Sequence, residues 1–174
     1  MTTVTVLVAT GGHLGRRALR LRGRAAIAID SDVHEVRAHP TRAGVVAAAA
    51  AVGLCTSHDA GATWHVERDG LHASYCSAVA FASDDVLVAA ATDHFAAEGA
   101  IYRRGVDGGG ALVAVGGGLP RWIAGIADTG CIASAGSTVA VADRKGNLHV
   151  SGDGGDSWSR LATSLPTPSS VLVA

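Results

Sequence analysis

From residue 32 onward, short apolar runs alternate with clusters of Gly, Asp, Ser and Pro, and the runs are too short for ordinary helices. "DVHEVRAH" (32–39), "GVVAAAAA" (44–51), "GLCTS" (53–57) and "TWHVE" (63–67) read as four strands divided by turns. The next stretch repeats the order as "YCSAVAF", "DVLVAAAT", "AIYRR" and "ALVAV", and a third as "GCIASA", "STVAVAD", "NLHVS" and "SWSRLAT". In each unit the first strand is apolar, the second very apolar, and the third runs into a polar turn. The Ala run 47–51 favours helix by propensity. It spans five residues between Gly44 and Gly53, and its counterparts are Val-rich, so strand is the expectation. At the ends, "TVTVLVAT" (3–10), "RRALRLR" (16–22) and "AAIAID" (25–30) resemble three strands lacking a first one, and "SSVLVA" (169–174) has the pattern of that missing strand.

The turn after the third strand carries a recurring octamer. Ser57-x-Asp59-x-Gly61-x-Thr63-Trp64 returns as Ser151-x-Asp153-x-Gly155-x-Ser157-Trp158, with a degraded copy, Gly105-x-Asp107-x-Gly109-x-Ala111-Leu112, between them. The spacings are 105 − 57 = 48 and 151 − 105 = 46. A period near 47 with one hairpin per unit matches a four-stranded propeller blade. Each octamer position has a folding rationale. Asp accepts from unpaired turn N–H groups, Ser adds a hydroxyl, Gly takes positive φ, and Trp covers the hairpin base.

The chain has 174 residues, enough for one sizeable core, and its 23 glycines suit many turns. Net charge is −1, so no global field recruits nucleic acid or a membrane surface. Three cysteines (55, 76, 131) without a CxxC pair fit a reducing compartment, and no apolar run reaches membrane-spanning length. A cytoplasmic location is the expectation. "RRALRLRGR" alternates Arg with apolar residues as an outer strand's solvated face would, without the interleaved aromatics that stack on bases. "VDGGGALVAVGGG" lacks the Gly-Lys-Ser/Thr ending of a phosphate loop.

The octamer resembles the Asp-box, or BNR repeat, of sialidase-like propellers, sortilin-type receptors, some endoglucanases and photosystem II assembly factors. Residues 32–165 look most like bacterial WD40/YVTN/BNR-like repeat proteins. The resemblance implies an all-β propeller and leaves the activity open, because propellers host unrelated functions. Sialidases resemble one another in an arginine triad, a Tyr–Glu pair, an Asp acid/base and an Arg-Ile-Pro motif. Here Arg-Ile-Pro is absent, and Glu35, Glu67, Glu98, Tyr75 and Tyr102 lie in other contexts. For a hydrolase the nominated carboxylates are Glu35 and Asp128, with His34 beside them.

Aligning the units puts His34-Glu35, Tyr75-Cys76 and Gly130-Cys131 at equivalent inner-strand entrances, with Asp32, His72 and Asp128 just before them. Inner strands line a propeller's channel, so these side chains are candidates to converge on a ligand. His, Glu and Cys are also ligands for a thiophilic metal. The alternative is packing, with small thiols filling tight space. Trp122, in a connection ahead of an inner strand, offers a ring platform or an inter-blade filler.

The expected fold is an all-β propeller of about four four-stranded blades in one domain. Its repeats fall near 32–72, 73–118 and 128–165, and residues 1–30 with 169–174 form a shared blade. A partial ring from a larger propeller is the other reading. The expected function is non-catalytic binding of a protein or small ligand, carbohydrate included, on the channel face, with a sialidase-like hydrolase as the alternative. No cofactor, metal, nucleic acid or membrane is assigned.

Overall fold

The computed structural model describes residues 32–174 and the backbone of residues 6–10. The strands expected at 16–22 and 25–30 lie outside these residues. Among the described residues there is no helix, and the structure is entirely β. The first blade is the antiparallel sheet β2 (Val33–Ala38), β3 (Val46–Ala50), β4 (Gly53–Ser57) and β5 (His65–Glu67), in that order. The second comprises β6 (Tyr75–Ala82), β7 (Asp85–Ala91) and β8 (Glu98–Gly105). Two short pieces, β9 (Val113–Ala114) and β10 (Ile123–Ala124), share its outer edge. The third is β11 (Ile132–Ala135), β12 (Thr138–Ala142), β13 (Leu148–Ser151) and β14 (Ser159–Ala162). Finally β1 (Val6–Thr10) pairs antiparallel with β15 (Pro168–Val173), Val6 opposite Val173.

The innermost strands β2, β6, β11 and β15 each pack on the next. They also share one cavity of about 240 Å³, lined by Arg37, Phe81, Ile132, Ser134 and Leu172 among others. Sheets standing radially around a shared axis are the propeller arrangement.

The apolar character of the second strands follows from this packing. In the second blade Val79, Phe81, Val86, Val88 and Tyr102 face the first blade, in a cluster with Ala47, Ala49 and Leu54. The alternate residues Ala80, Ala82, Leu87, Ala89 and Ile101 face the third, in a cluster with Ile132, Val139, Val141 and Trp158. With both faces covered, a strand reads as a continuous apolar run. The Ala run is β3, with every residue from Ala47 to Ala50 at 2% exposure or less. Ala is small enough there for two sheets to approach closely.

Successive blades are joined by equivalent turns, Arg68–Leu71 and Gly116–Leu119. In each, the second residue's carbonyl accepts from the last octamer residue of the next blade: Leu112 N to Asp69 O at 2.9 Å, and Trp158 N to Gly117 O at 2.7 Å. A Cβ on Gly70 would lie 2.0 Å from the Leu112 carbonyl oxygen, and one on Gly117 1.9 Å from that of Asp156. Both φ angles are positive, so only glycine suits these seams.

Candidate functional site

The inner-strand entrances meet, and what they build first is a set of fasteners between blades. A bulge at Val33/Glu35 turns His34 out of the ladder, and its Nδ1 bonds the Cys76 carbonyl at 2.6 Å. Its ring packs on Tyr75 at 4.6 Å, and its Nε2 lies 3.3 Å from Asp32. A matching bulge at Cys76/Ala78 frees Ser77, whose hydroxyl donates to the Ala127 carbonyl at 2.7 Å. One blade on, Val171 N donates to the Gly130 carbonyl at 2.8 Å. The first two seams are thus tied by a side chain freed at a bulge, and the third by main chain.

Glu35 is the central tie. Its carboxylate is buried, pairs with Arg37, and accepts from Val79 N at 3.0 Å and Gly130 N at 3.3 Å. Three blades therefore converge on one side chain, and bonds to the carboxylate occupy it. Asp128 accepts from Thr129 N at 2.9 Å and lies 3.4 Å from Arg144. Cys76 and Cys131 are buried, and desolvation pushes both thiols up to about 12; Cys55 is pushed up to about 11 for the same reason. Such thiols stay protonated and are poor nucleophiles. Among the described residues no three His, Cys, Asp or Glu side chains gather around a common point where an ion would fit.

The octamers sit at the opposite end of the blades, since each follows a third strand parallel to the first. In residues 57–64 the Ser57 hydroxyl donates to Asp59 at 2.8 Å and accepts from Gly61 N at 2.8 Å. Asp59 accepts from Thr63 N at 2.8 Å and from the Thr63 hydroxyl at 2.6 Å, and Trp64 Nε1 donates to the Gly61 carbonyl at 3.0 Å. Residues 151–158 repeat every one of these bonds through Ser151, Asp153, Gly155, Ser157 and Trp158. The bonds to the charged form hold Asp59 down at about 2, led by the Thr63 hydroxyl, and hold Asp153 lower still. The middle copy departs from the expectation. Asp107 makes no such cage, because Gly105 and Ala111 supply no hydroxyl; it pairs instead with Arg42 of the first blade. Gly109 still supplies positive φ.

The entrance face carries a second constellation, assembled from two loops and one strand. Tyr102, buried in β8, accepts through its hydroxyl from His72 N at 3.1 Å and from Arg121 Nη2 at 3.1 Å. That leaves its proton for His72 Nδ1, 2.8 Å away. Burial, and then the Arg121 charge, lowers the His72 pKa, which matches a ring that accepts rather than donates at Nδ1. The Arg121 guanidinium carbon lies 5.3 Å from the Tyr102 ring centre and 4.3 Å from that of Trp122. Trp122 meets His72 edge-on at 4.8 Å and is 41% exposed.

His72 and Trp122, named separately from the sequence, are thus neighbours, while Arg121 and Tyr102 were missed. The Arg-Trp pair in "LPRWIAG" was the available signal. Trp122 lies in the connection ahead of the inner strand β11, directly before the short edge strand β10. Separately, in the loop between β7 and β8, Phe95 stands 85% exposed beside His94, and Arg144 reaches the His94 carbonyl as well as Asp128.

Comparison with family models and with curated proteins found no match. Among solved structures, one described as YCF48 bound to D1 peptide is similar at 19% identity and a TM-score of 0.43. The likeness covers 76% of this chain and 44% of that one, so this chain spans less than half of that structure's length. The propeller arrangement stands on the pairing and packing described above.

Proposed function

We propose that this chain is a non-catalytic binding propeller of the Asp-box (BNR) repeat group, holding a protein or small ligand on the face formed by the inner-strand entrances. The three buried free thiols suit a reducing compartment, and a cytoplasmic location is part of the proposal. The observation that carries the reading is the contrast in how side chains are used. Glu35, nominated for hydrolysis, is tied to Arg37 and two backbone N–H groups. Trp122 and Phe95 stand exposed on the same face, beside His72, Arg121 and His94. Aromatic and arginine side chains in this setting are what binding surfaces concentrate. Two measurements test it. The full chain is expected to turn over no glycoside in a broad panel; turnover lost in Glu35→Gln overturns the reading. A photo-crosslinker at Phe95 should trap a partner that one at Thr63, on the octamer face, does not.

A further inference from the structure

We infer that Arg121, Trp122, His72 and Tyr102 form a recognition site for an acidic peptide segment, in which a carboxylate meets Arg121 and a neighbouring apolar or aromatic side chain lies on Trp122. This rests on the entrance-face reading above and names the partner's chemistry. The first observation is that Arg121 is held in place yet electrostatically unanswered. Arg37, Arg42, Arg103, Arg104 and Arg144 each have a carboxylate partner; among the described residues Arg68, Arg121 and Arg160 have none, and of these three only Arg121 is held over aromatic rings. A guanidinium fixed between two rings, with one donor spent on a neutral hydroxyl, keeps its remaining donors and full charge for a ligand.

The second observation is the indole beside it. Trp122 is 41% exposed, so the cation and an apolar plate are offered together. The third separates a peptide from a sugar. Sugar hydroxyls are recognised by paired polar groups, above all amide and carboxylate side chains. Among the described residues no carboxylate or amide side chain is bonded to His72, Tyr102, Arg121 or Trp122, and the chain's one Asn, Asn147, is bonded to Asp143. Against the Trp122 ring stand the Arg121 guanidinium and the His72 ring. A carboxylate next to an apolar side chain satisfies all of them.

The test is calorimetric titration of the full chain with a capped pentapeptide holding Glu between two Phe, with its Gln counterpart, and with glucuronate. The Glu peptide is expected to bind with a quench of Trp122 fluorescence, and the Gln peptide about tenfold to a hundredfold more weakly, the weight of a charge-assisted pair. R121Q should lose the same factor, R121K should recover part of it, and W122S should weaken both peptides alike, with unchanged circular dichroism in each. If R121Q does not fold, the Glu-against-Gln comparison on the unmodified chain decides. Equal binding of the two peptides, an unaffected R121Q, or preference for glucuronate overturns the inference. Peptide binding that ignores Arg121 but is blocked by substituting Phe95 leaves the entrance-face reading standing; binding mapped to the octamer face removes both.

Discussion

Residues 151–158 and residues 105–112 occupy the same place in adjacent blades and close it by different physics. The first is a local device. Ser151 and Ser157 hydroxyls and turn N–H groups surround Asp153 within seven residues of chain, and Trp158 caps the result, 7% exposed in the core between the second and third blades. The second has no hydroxyl to offer, so Asp107 turns outward to Arg42, 65 residues away. A motif that folds its own turn can be replaced by one that relies on a neighbouring blade. The two solutions should respond differently to mutation, pH and repair.

The largest effect expected is from Trp158→Ala. A buried indole with its N–H bonded to Gly155 leaves a cavity and an unpaired carbonyl, costing about 3–5 kcal/mol in a denaturant melt. Trp64→Ala, whose half-buried ring lies in a smaller cluster with Ala48, Ala50 and Cys55, should cost clearly less. Equal losses would mean that the Trp acts through its hairpin alone and not through the neighbouring blade. Next comes Ser151→Ala, which strips a buried hydroxyl from Asp153 and from Gly155 N and should cost about 1–3 kcal/mol. A cost near zero would detach the cage from stability.

The pH dependence is a subtler discriminator. Asp59 titrates at about 2 when folded against an ordinary 3.8, so its stabilisation is whole above that ordinary value and fades as pH falls through about 2. Urea midpoints followed from pH 5 down to 2 should therefore fall less steeply in Asp59→Asn than in the unmodified chain. Asp107 is also lowered, mainly by its bond to Arg42, and Asp107→Asn should change the slope less. The smallest effect is the most pointed. Gly105→Ser with Ala111→Thr puts both hydroxyls back, and a Cβ at 105 meets nothing closer than Asp85 at 3.9 Å. A modest rise in Tm is expected, and Arg42→Ala should then matter less in the repaired chain than in the original.

These differences also mark how far residue order could be read. The strands were legible because burial on both faces imposes runs such as "DVLVAAA", and tight turns impose Gly and Asp between them. The two complete octamers were legible because every bond they make is local. Asp107 looked like a third copy, since the missing hydroxyls at 105 and 111 matter only when the turn is built. Glu35 and His34 were picked out as entrance residues, yet their use as fasteners depends on a bulge in β2 that shifts the register. No periodicity announces such a bulge. The grouping of Tyr102 and Arg121 is not legible in the sequence because they meet only beside His72, 30 residues from one and 49 from the other (121 − 72 = 49).

Short-range chemistry is written in residue order: continuous apolar runs where both faces are buried, hydroxyl and carboxylate at fixed offsets, glycine at most turns where φ is positive. That Arg42 answers Asp107, that Arg104 answers Glu67, and that Arg121 meets rings and no carboxylate depend on side chains brought together from distant parts of the chain. Those encounters are set by how the sheets pack around their axis, so their partners cannot be counted along the chain.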